Sequence, residues 1–236
     1  MKPVAIFRAA RSEGPAYFAT YLERRSIPWR LVALDEGEPV PRDALRFSGL
    51  CFMGGPMSVN DDLPWIAPAL ELIRDAVHKD VPAIGHCLGG QLMSKAFGGA
   101  VGANAAKEIG WGEVRVSDNA VAREWLDELR AFESFHWHGE TFSIPPGATR
   151  ILENDACANQ AFVLGKHLGL QCHVEMTPEL VRAWVQGGAD EIAAARSPAV
   201  QPPQEIERDL DRRIAALNGV ANRLYDRWTE SLSRGN

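Results

Sequence analysis

The chain has 236 residues, with 25 Lys and Arg against 31 Asp and Glu, for a formal charge of −6. Apolar residues make up 46% and charged residues 24%, values of a folded chain and not of a disordered one. The acidic balance argues against a nucleic-acid partner. No run approaches the roughly 18–20 apolar residues that span a bilayer, so no membrane partner is expected. The length suits one α/β domain over 1–236.

In chain order, Lys2 precedes a short apolar run that Arg8 and Arg11 break, which reads as a first strand and not a signal peptide. Tyr17, Phe18, Tyr21 and Leu22 then fall at helical spacing, and strands follow at 29–34 and 48–53. Ile66, Leu70, Ile73 and Val77 make the stripe of an amphipathic helix over 63–79. A fourth strand at 81–84 runs into Gly85–Gln91 and a helix to Phe97. This alternation predicts βαβ units: a three-layer α/β fold whose mostly parallel sheet carries helices on both faces.

The second half changes character. Strands at 113–116, 132–137, 149–153, 161–164 and 168–173 are separated by turns, which predicts an antiparallel extension of the sheet. Helices are expected at 179–186 and 190–196, then one long helix from Glu205 to about Leu232. Ile206, Leu210, Ile214, Leu217, Ala221, Leu224 and Trp228 give it one apolar stripe, read as packing on the sheet, with a homodimer seam as the alternative. Cys51, Cys87, Cys157 and Cys172 form no C-x-x-C pair, as expected of reduced thiols in a cytoplasmic protein.

Cys87 stands on the predicted strand-to-helix turn, with Gly85 two residues before it and Gly89 two after. Such a turn strains the nucleophile's backbone, and small flanking residues relieve the crowding. The sulfur then lies at the positive end of the next helix, and the Leu88 N–H faces a developing oxyanion. His173 and Glu175, two apart at a predicted strand end, share a face there, so the carboxylate can orient the imidazole. Nucleophile, base and orienter are the logic of a triad. Gly54, Gly55 and Pro56 follow strand three, where the Gly55 N–H can serve as a second oxyanion donor.

Together these segments resemble the class I glutamine amidotransferases, Cys-His-Glu enzymes that hydrolyse the glutamine side-chain amide. Gly85, Cys87, Gly89 and Gln91 meet the pattern G-x-C-x-G-x-Q; Gly54, Gly55 and Pro56 meet G-G-P; Gln171, His173 and Glu175 meet Q-x-H-x-E. The likeness runs from about residue 45 to 185, including Lys107–Trp111 and Phe135–Glu140. It implies a flavodoxin-like fold and a γ-glutamyl thioester on Cys87. His173 would serve as base and acid, Glu175 as its orienter, and Gly55 and Leu88 as the oxyanion hole. Gln91, Gly54 and His138 would contact the substrate. Cys172 and Val174 depart from the family's usual Phe and Pro around the histidine.

His86, before the nucleophile, reads as a packing or hydrogen-bonding residue, with a second base as the alternative. His136 and His138 share one side of a predicted strand, but no HExxH or CxxC supplies the third ligand that zinc needs, so no metal is expected. The thioester chemistry calls for no cofactor. An α/β-hydrolase order is disfavoured because Glu175 follows His173, and a Pfp-I-type site because Leu88, not His, follows Cys87. The reading is a stand-alone hydrolase of glutamine or a γ-glutamyl amide. Its alternatives are a glutaminase that feeds ammonia to a separate synthase subunit, and a catalytically idle regulatory module.

Overall fold

Alternation of apolar residues along β1 (Val4–Arg8) divides the interior in two: Val4 and Ile6 enter one core, Ala5 and Phe7 the other. The structure is a computed structural model and describes residues 1–232. After β1 come α1 (Ala16–Arg24), β2 (Trp29–Ala33), β3 (Gly49–Phe52), α2 (Ile66–His78), β4 (Ala83–His86) and α3 (Leu88–Ala96). The second half adds β5 (Val101–Val116), α4 (Ala120–Leu126), β6 (Ala131–Phe142), β7 (Thr149–Glu153), β8 (Ala161–Leu164) and β9 (His167–Leu170). Helices α5 (Pro178–Gly187), α6 (Ala189–Ala194), α7 (Pro203–Glu207) and α8 (Leu210–Thr229) follow.

Among the described residues, nine strands form one sheet in the order β2-β1-β3-β4-β9-β8-β7-β5-β6. The first five in that order run parallel, and the remainder pair antiparallel. Helices α1, α4, α5 and α8 cover one face; α2 and α3 cover the other. This is the expected three-layer α/β architecture with its antiparallel extension. No described helix is long and apolar enough to cross a membrane.

Four expectations need correction. The antiparallel strands at 113–116 and 132–137 are the ends of a long β5–β6 hairpin, whose register shifts between Ala103 and Glu108. The stretch Gly102–Lys107, built of Gly, Ala, Asn and Lys with no large apolar residue, hides that strand from an apolar-alternation reading. Helix α4 was not expected; Asn119 caps it by accepting from the Ala122 N–H at 2.9 Å, and Ala122, Trp125 and Leu126 are its buried side. The long C-terminal helix is two, broken where Asp209 takes a φ of 53°. Its stripe from Ile206 to Trp228 is nevertheless buried within the chain. Finally, β9 stops at Leu170, so His173 and Glu175 lie beyond the strand and not on it.

Candidate active site

In the parallel half of the sheet, ligands collect outside the carboxyl ends of the strands, and Cys87 sits at one of them. Gly85 and His86 pair with Gly169 and Leu170 of β9, which carries β4 up to the nucleophile turn. Cys87 then adopts φ 50°, ψ −106°, before α3 opens at Leu88. An L side chain rarely takes such a conformation, which costs on the order of 1–3 kcal/mol. Surrounding contacts impose it: the Cys87 N–H donates to Leu170 O at 2.8 Å, and the Gln91 N–H donates to Cys87 O at 3.0 Å. Glycine is required on both sides. A Cβ on Gly85 would lie 2.3 Å from the Gly89 carbonyl carbon, and one on Gly89 would lie 2.0 Å from Phe52 O.

His173 and Glu175 are brought together by an irregular segment. The His173 N–H donates to Phe135 O at 2.8 Å, and the Tyr17 N–H to Glu175 O at 2.9 Å, so β6 and α1 fix the two backbones. His173 Nδ1 lies 2.7 Å from Glu175 Oε1. The other ring nitrogen, Nε2, has no hydrogen-bond partner among the described residues. Burial pulls the His173 imidazole down, but the Glu175 carboxylate and the Cys87 side chain outweigh it and hold it well above its ordinary value. Burial likewise pushes Glu175 up, yet the His173 and His86 charges bring it to about 2. His86 packs behind the pair: Nε2 is 3.0 Å from the Tyr225 hydroxyl and 4.0 Å from Glu175 Oε2, and burial lowers its pKa.

A cavity of about 510 Å³ opens at this edge, with Gly55, Cys87, Gln91 and His138 among its lining residues. Of the four cysteines, Cys87 alone reaches it; Cys172 is fully buried, its thiol pushed up to about 12 chiefly by burial. Gln91 Nε2 donates to Gln171 Oε1 at 3.2 Å, and Gln171 Nε2 lies 3.5 Å from Cys87 Sγ. Gly54 stands one layer back, where a Cβ would meet Glu13 Oε2 at 1.9 Å and His173 Cε1 at 3.4 Å. The Leu88 side chain is buried on the α2–α3 side of the sheet, while its N–H sits at the free end of α3.

Sequence reasoning missed several residues of this site. Glu13, from the loop after β1, enters the cavity beside Gly54 and His173. Burial pushes its carboxyl up to about 7; His173 opposes that shift and Glu175 adds to it. Trp184 of α5 stands edge-on to His173, ring centroids 4.9 Å apart, and donates from Nε1 to Ser12 O at 2.7 Å. Trp137 and Glu191 complete the outer wall, joined by a 2.9 Å hydrogen bond from Trp137 Nε1. Trp184 and Glu191 carry no local signature, because long-range packing of α5 and α6 brings them here.

A third group beside His136 and His138 was also missed. Glu108 lies directly across the hairpin from His138, and Gly110 across from His136, so all three side chains share one face. His138 Nε2 is 2.9 Å from Glu108 Oε2, and His136 Nδ1 is 3.8 Å from Glu108 Oε1. His138 Nδ1 is 3.0 Å from Glu140 O. Both nitrogens of His138 therefore face protein groups, although the residue lines the cavity. Burial pushes Glu108 up, but the His138 hydrogen bond and the two histidines' charges bring it to about 2.

Comparison with known proteins identifies the family. The family model for glutamine amidotransferase class I matches residues 18–183. A crystal structure of a glutamine amidotransferase from Methylobacillus flagellatus superposes with a TM-score of 0.98 at 48% identity, covering 100% of this chain and 97% of that one. The glutamine amidotransferase-like protein YfeJ of Salmonella typhimurium is 31% identical over 178 residues, 72% of this chain and 74% of the relative. One subunit of the glutamine-hydrolysing GMP synthase of Thermococcus kodakarensis is 31% identical over 149 residues, 62% of this chain and 73% of that one. γ-Glutamyl peptidase 3 of Arabidopsis thaliana is 24% identical over 161 residues, 65% of each chain. The glutamine-hydrolysing GMP synthase of Vibrio vulnificus is matched over only 24% of its length. With 166 of its 236 residues inside the family model, this chain belongs to the class I glutamine amidotransferases.

Proposed function

We propose that the chain hydrolyses the side-chain amide of glutamine, or of a related γ-glutamyl amide, through a thioester on Cys87. The observation that carries this reading is the placement of Cys87, in its strained turn and open to the cavity, beside a buried His173–Glu175 pair. His173 takes the thiol proton as Sγ attacks the amide carbon. The oxyanion that forms accepts from the Gly55 and Leu88 N–H groups, the latter at the free end of α3. Collapse breaks the C–N bond, and His173 returns its proton to the departing ammonia or amine. Water, deprotonated by His173, then cleaves the thioester and releases the γ-carboxylate and the free thiol. Glu175 holds the imidazole by its 2.7 Å contact throughout.

Substrate recognition falls to the cavity. Gln91 and His138 line the cavity, and Gly54 backs it beside Glu13 and His173. Glu13 supplies a carboxylate for the substrate's α-ammonium, the one cation that every γ-glutamyl compound carries. The aromatic wall of Trp137 and Trp184 leaves room beyond the amide for an amine larger than ammonia.

The second reading, an ammonia-producing partner of a separate synthase, draws on the likeness to the GMP synthase subunit of Thermococcus kodakarensis. One assay distinguishes the two: ammonia, amine and glutamate release by the purified chain from glutamine and from γ-glutamyl amides and peptides, with Cys87→Ala as control. Cys87-dependent turnover of a γ-glutamyl compound by the chain alone supports the hydrolase. Failure on all of them by folded protein removes it.

A further inference from the structure

We propose that Glu108, His136 and His138 form a binding site for one divalent transition-metal ion of the zinc class. The inference is independent of the amide-hydrolysis reading, since none of the three serves there as nucleophile, base or orienter. It begins with strand register: Glu108 of β5 faces His138 of β6, and His136 follows on the same side two residues earlier. One donor atom from each lies within 4.8 Å of the other two, and all three residues are buried. Two imidazoles and a carboxylate are a donor set that zinc takes with a fourth position left for water.

The hydrogen bonding around the cluster points the same way. His136 is 1% exposed and its Nε2 side meets the Gly112 backbone, yet its Nδ1 has no hydrogen-bond partner among the described residues. Its Nε2 side lies against Gly112, where a Cβ would come within 3.2 Å of Nε2, while Nδ1 is turned toward Glu108. A buried polar group left unmet is rare enough to call for a ligand. His138 is arranged as a ligating histidine usually is. Its Nδ1–H donates to the Glu140 carbonyl at 3.0 Å, which turns Nε2 toward the Glu108 carboxylate at 2.9 Å. A divalent cation would displace the Nε2 proton and take both atoms as ligands. Glu108 is itself held from outside: Asn154 Nδ2 donates to Oε1 at 2.6 Å and Gln160 Nε2 to Oε2 at 2.8 Å. Carboxylate ligands are oriented in this way.

Zinc bonds of about 2.0–2.2 Å place tetrahedral donors about 3.4 Å apart, so side-chain rotations would open the His138–Glu108 pair by about 0.5 Å and close the wider pairs by up to about 1.4 Å. The ion would fix β6 on both sides of Trp137, whose carbonyl oxygen lies 3.9 Å from Cys87 Sγ. It would therefore brace the wall that faces the nucleophile.

The test uses the full chain stripped with a chelator. Because a free thiol also binds zinc, it is run with Cys87→Ala, by calorimetric titration with Zn²⁺ and visible absorbance with Co²⁺. The expected result is one equivalent of metal, with cobalt bands of low coordination number and no thiolate-to-metal band. Adding His136→Ala or Glu108→Gln, with folding checked by thermal unfolding, should weaken zinc binding at least about 100-fold. If His136→Ala does not fold, His136→Asn is read in its place. Absence of binding in Cys87→Ala, or binding that His136 and Glu108 substitutions leave intact, overturns the proposal. Binding seen only when Cys87 is present overturns it too, by placing the ion on the thiol.

Discussion

His173 Nδ1 lies 2.7 Å from Glu175 Oε1 although neither residue belongs to a regular strand. Backbone bonds to Phe135 and from Tyr17 hold the segment instead, so a helix and a distant strand set the geometry of the pair. Removing the carboxylate's charge should therefore cost catalysis while leaving the frame in place. For Glu175→Gln we expect kcat to fall by about 10²–10⁴-fold with KM changed by less than about threefold. Steady-state kinetics on the best substrate of the panel checks this. An unchanged kcat would remove Glu175 from the mechanism.

Glu13 should govern binding and not chemistry. With its carboxyl pushed up to about 7 by burial, it carries its charge above that pH and loses it below. A substrate ammonium is then held more weakly in acid, so KM should rise as pH falls through about 7. Glu13→Gln should raise KM by about 10–100-fold, the worth of a buried charged hydrogen bond. It should also abolish the acid limb of the KM profile. A KM that keeps its limb in Glu13→Gln assigns the titration to another group.

Gly89→Ala sets two effects against each other. Ala is the better helix former by about 1 kcal/mol, and Gly89 lies in the first turn of α3. The added Cβ, however, would lie 2.0 Å from Phe52 O and 2.6 Å from its carbonyl carbon, both backbone atoms of a central strand. Clash should win, with a net loss of about 3 kcal/mol or more in denaturant unfolding. A variant as stable as the parent would mean that β3 can move away from the nucleophile turn.

His167 links stability to pH. Its Nδ1 accepts the Ala83 N–H at 3.2 Å, which requires a neutral ring. Burial lowers it to about 4, with Lys166 adding to the shift and Asp80 opposing it. The unfolded chain, titrating near 6.5, binds the extra proton first as pH falls. The stabilisation is therefore complete above about pH 6.5 and lost toward pH 4, amounting to about 3 kcal/mol. His167→Gln keeps an acceptor and removes the titration. Its unfolding free energy should fall less steeply between pH 6.5 and 4.5 than that of the parent.

How much was legible depended on how local the information is. The nucleophile turn could be read because one heptapeptide holds the strand end, the strained residue, its glycines and the helix start. The order of helix and strand up to Phe97 followed from periodicity for the same reason. The junction at Asp209 was hidden because its apolar stripe runs unbroken through the change of backbone direction. Glu108 lies in a segment that shares the family likeness, yet nothing local joins it to His136 and His138. Only the hairpin register, with its shift between Ala103 and Glu108, sets the three together. Glu13 and Trp184 come from a loop and a helix at opposite ends of the chain, and tertiary packing alone brings them to the cavity.

The most direct test of the account is covalent trapping. The purified chain is incubated with an electrophilic glutamine analogue, and the adduct is located by intact-mass measurement and peptide mapping. The account predicts one adduct, on Cys87, suppressed by glutamine or a γ-glutamyl substrate and absent in Cys87→Ala. Labelling of another residue, or amide hydrolysis that persists in Cys87→Ala, would contradict it.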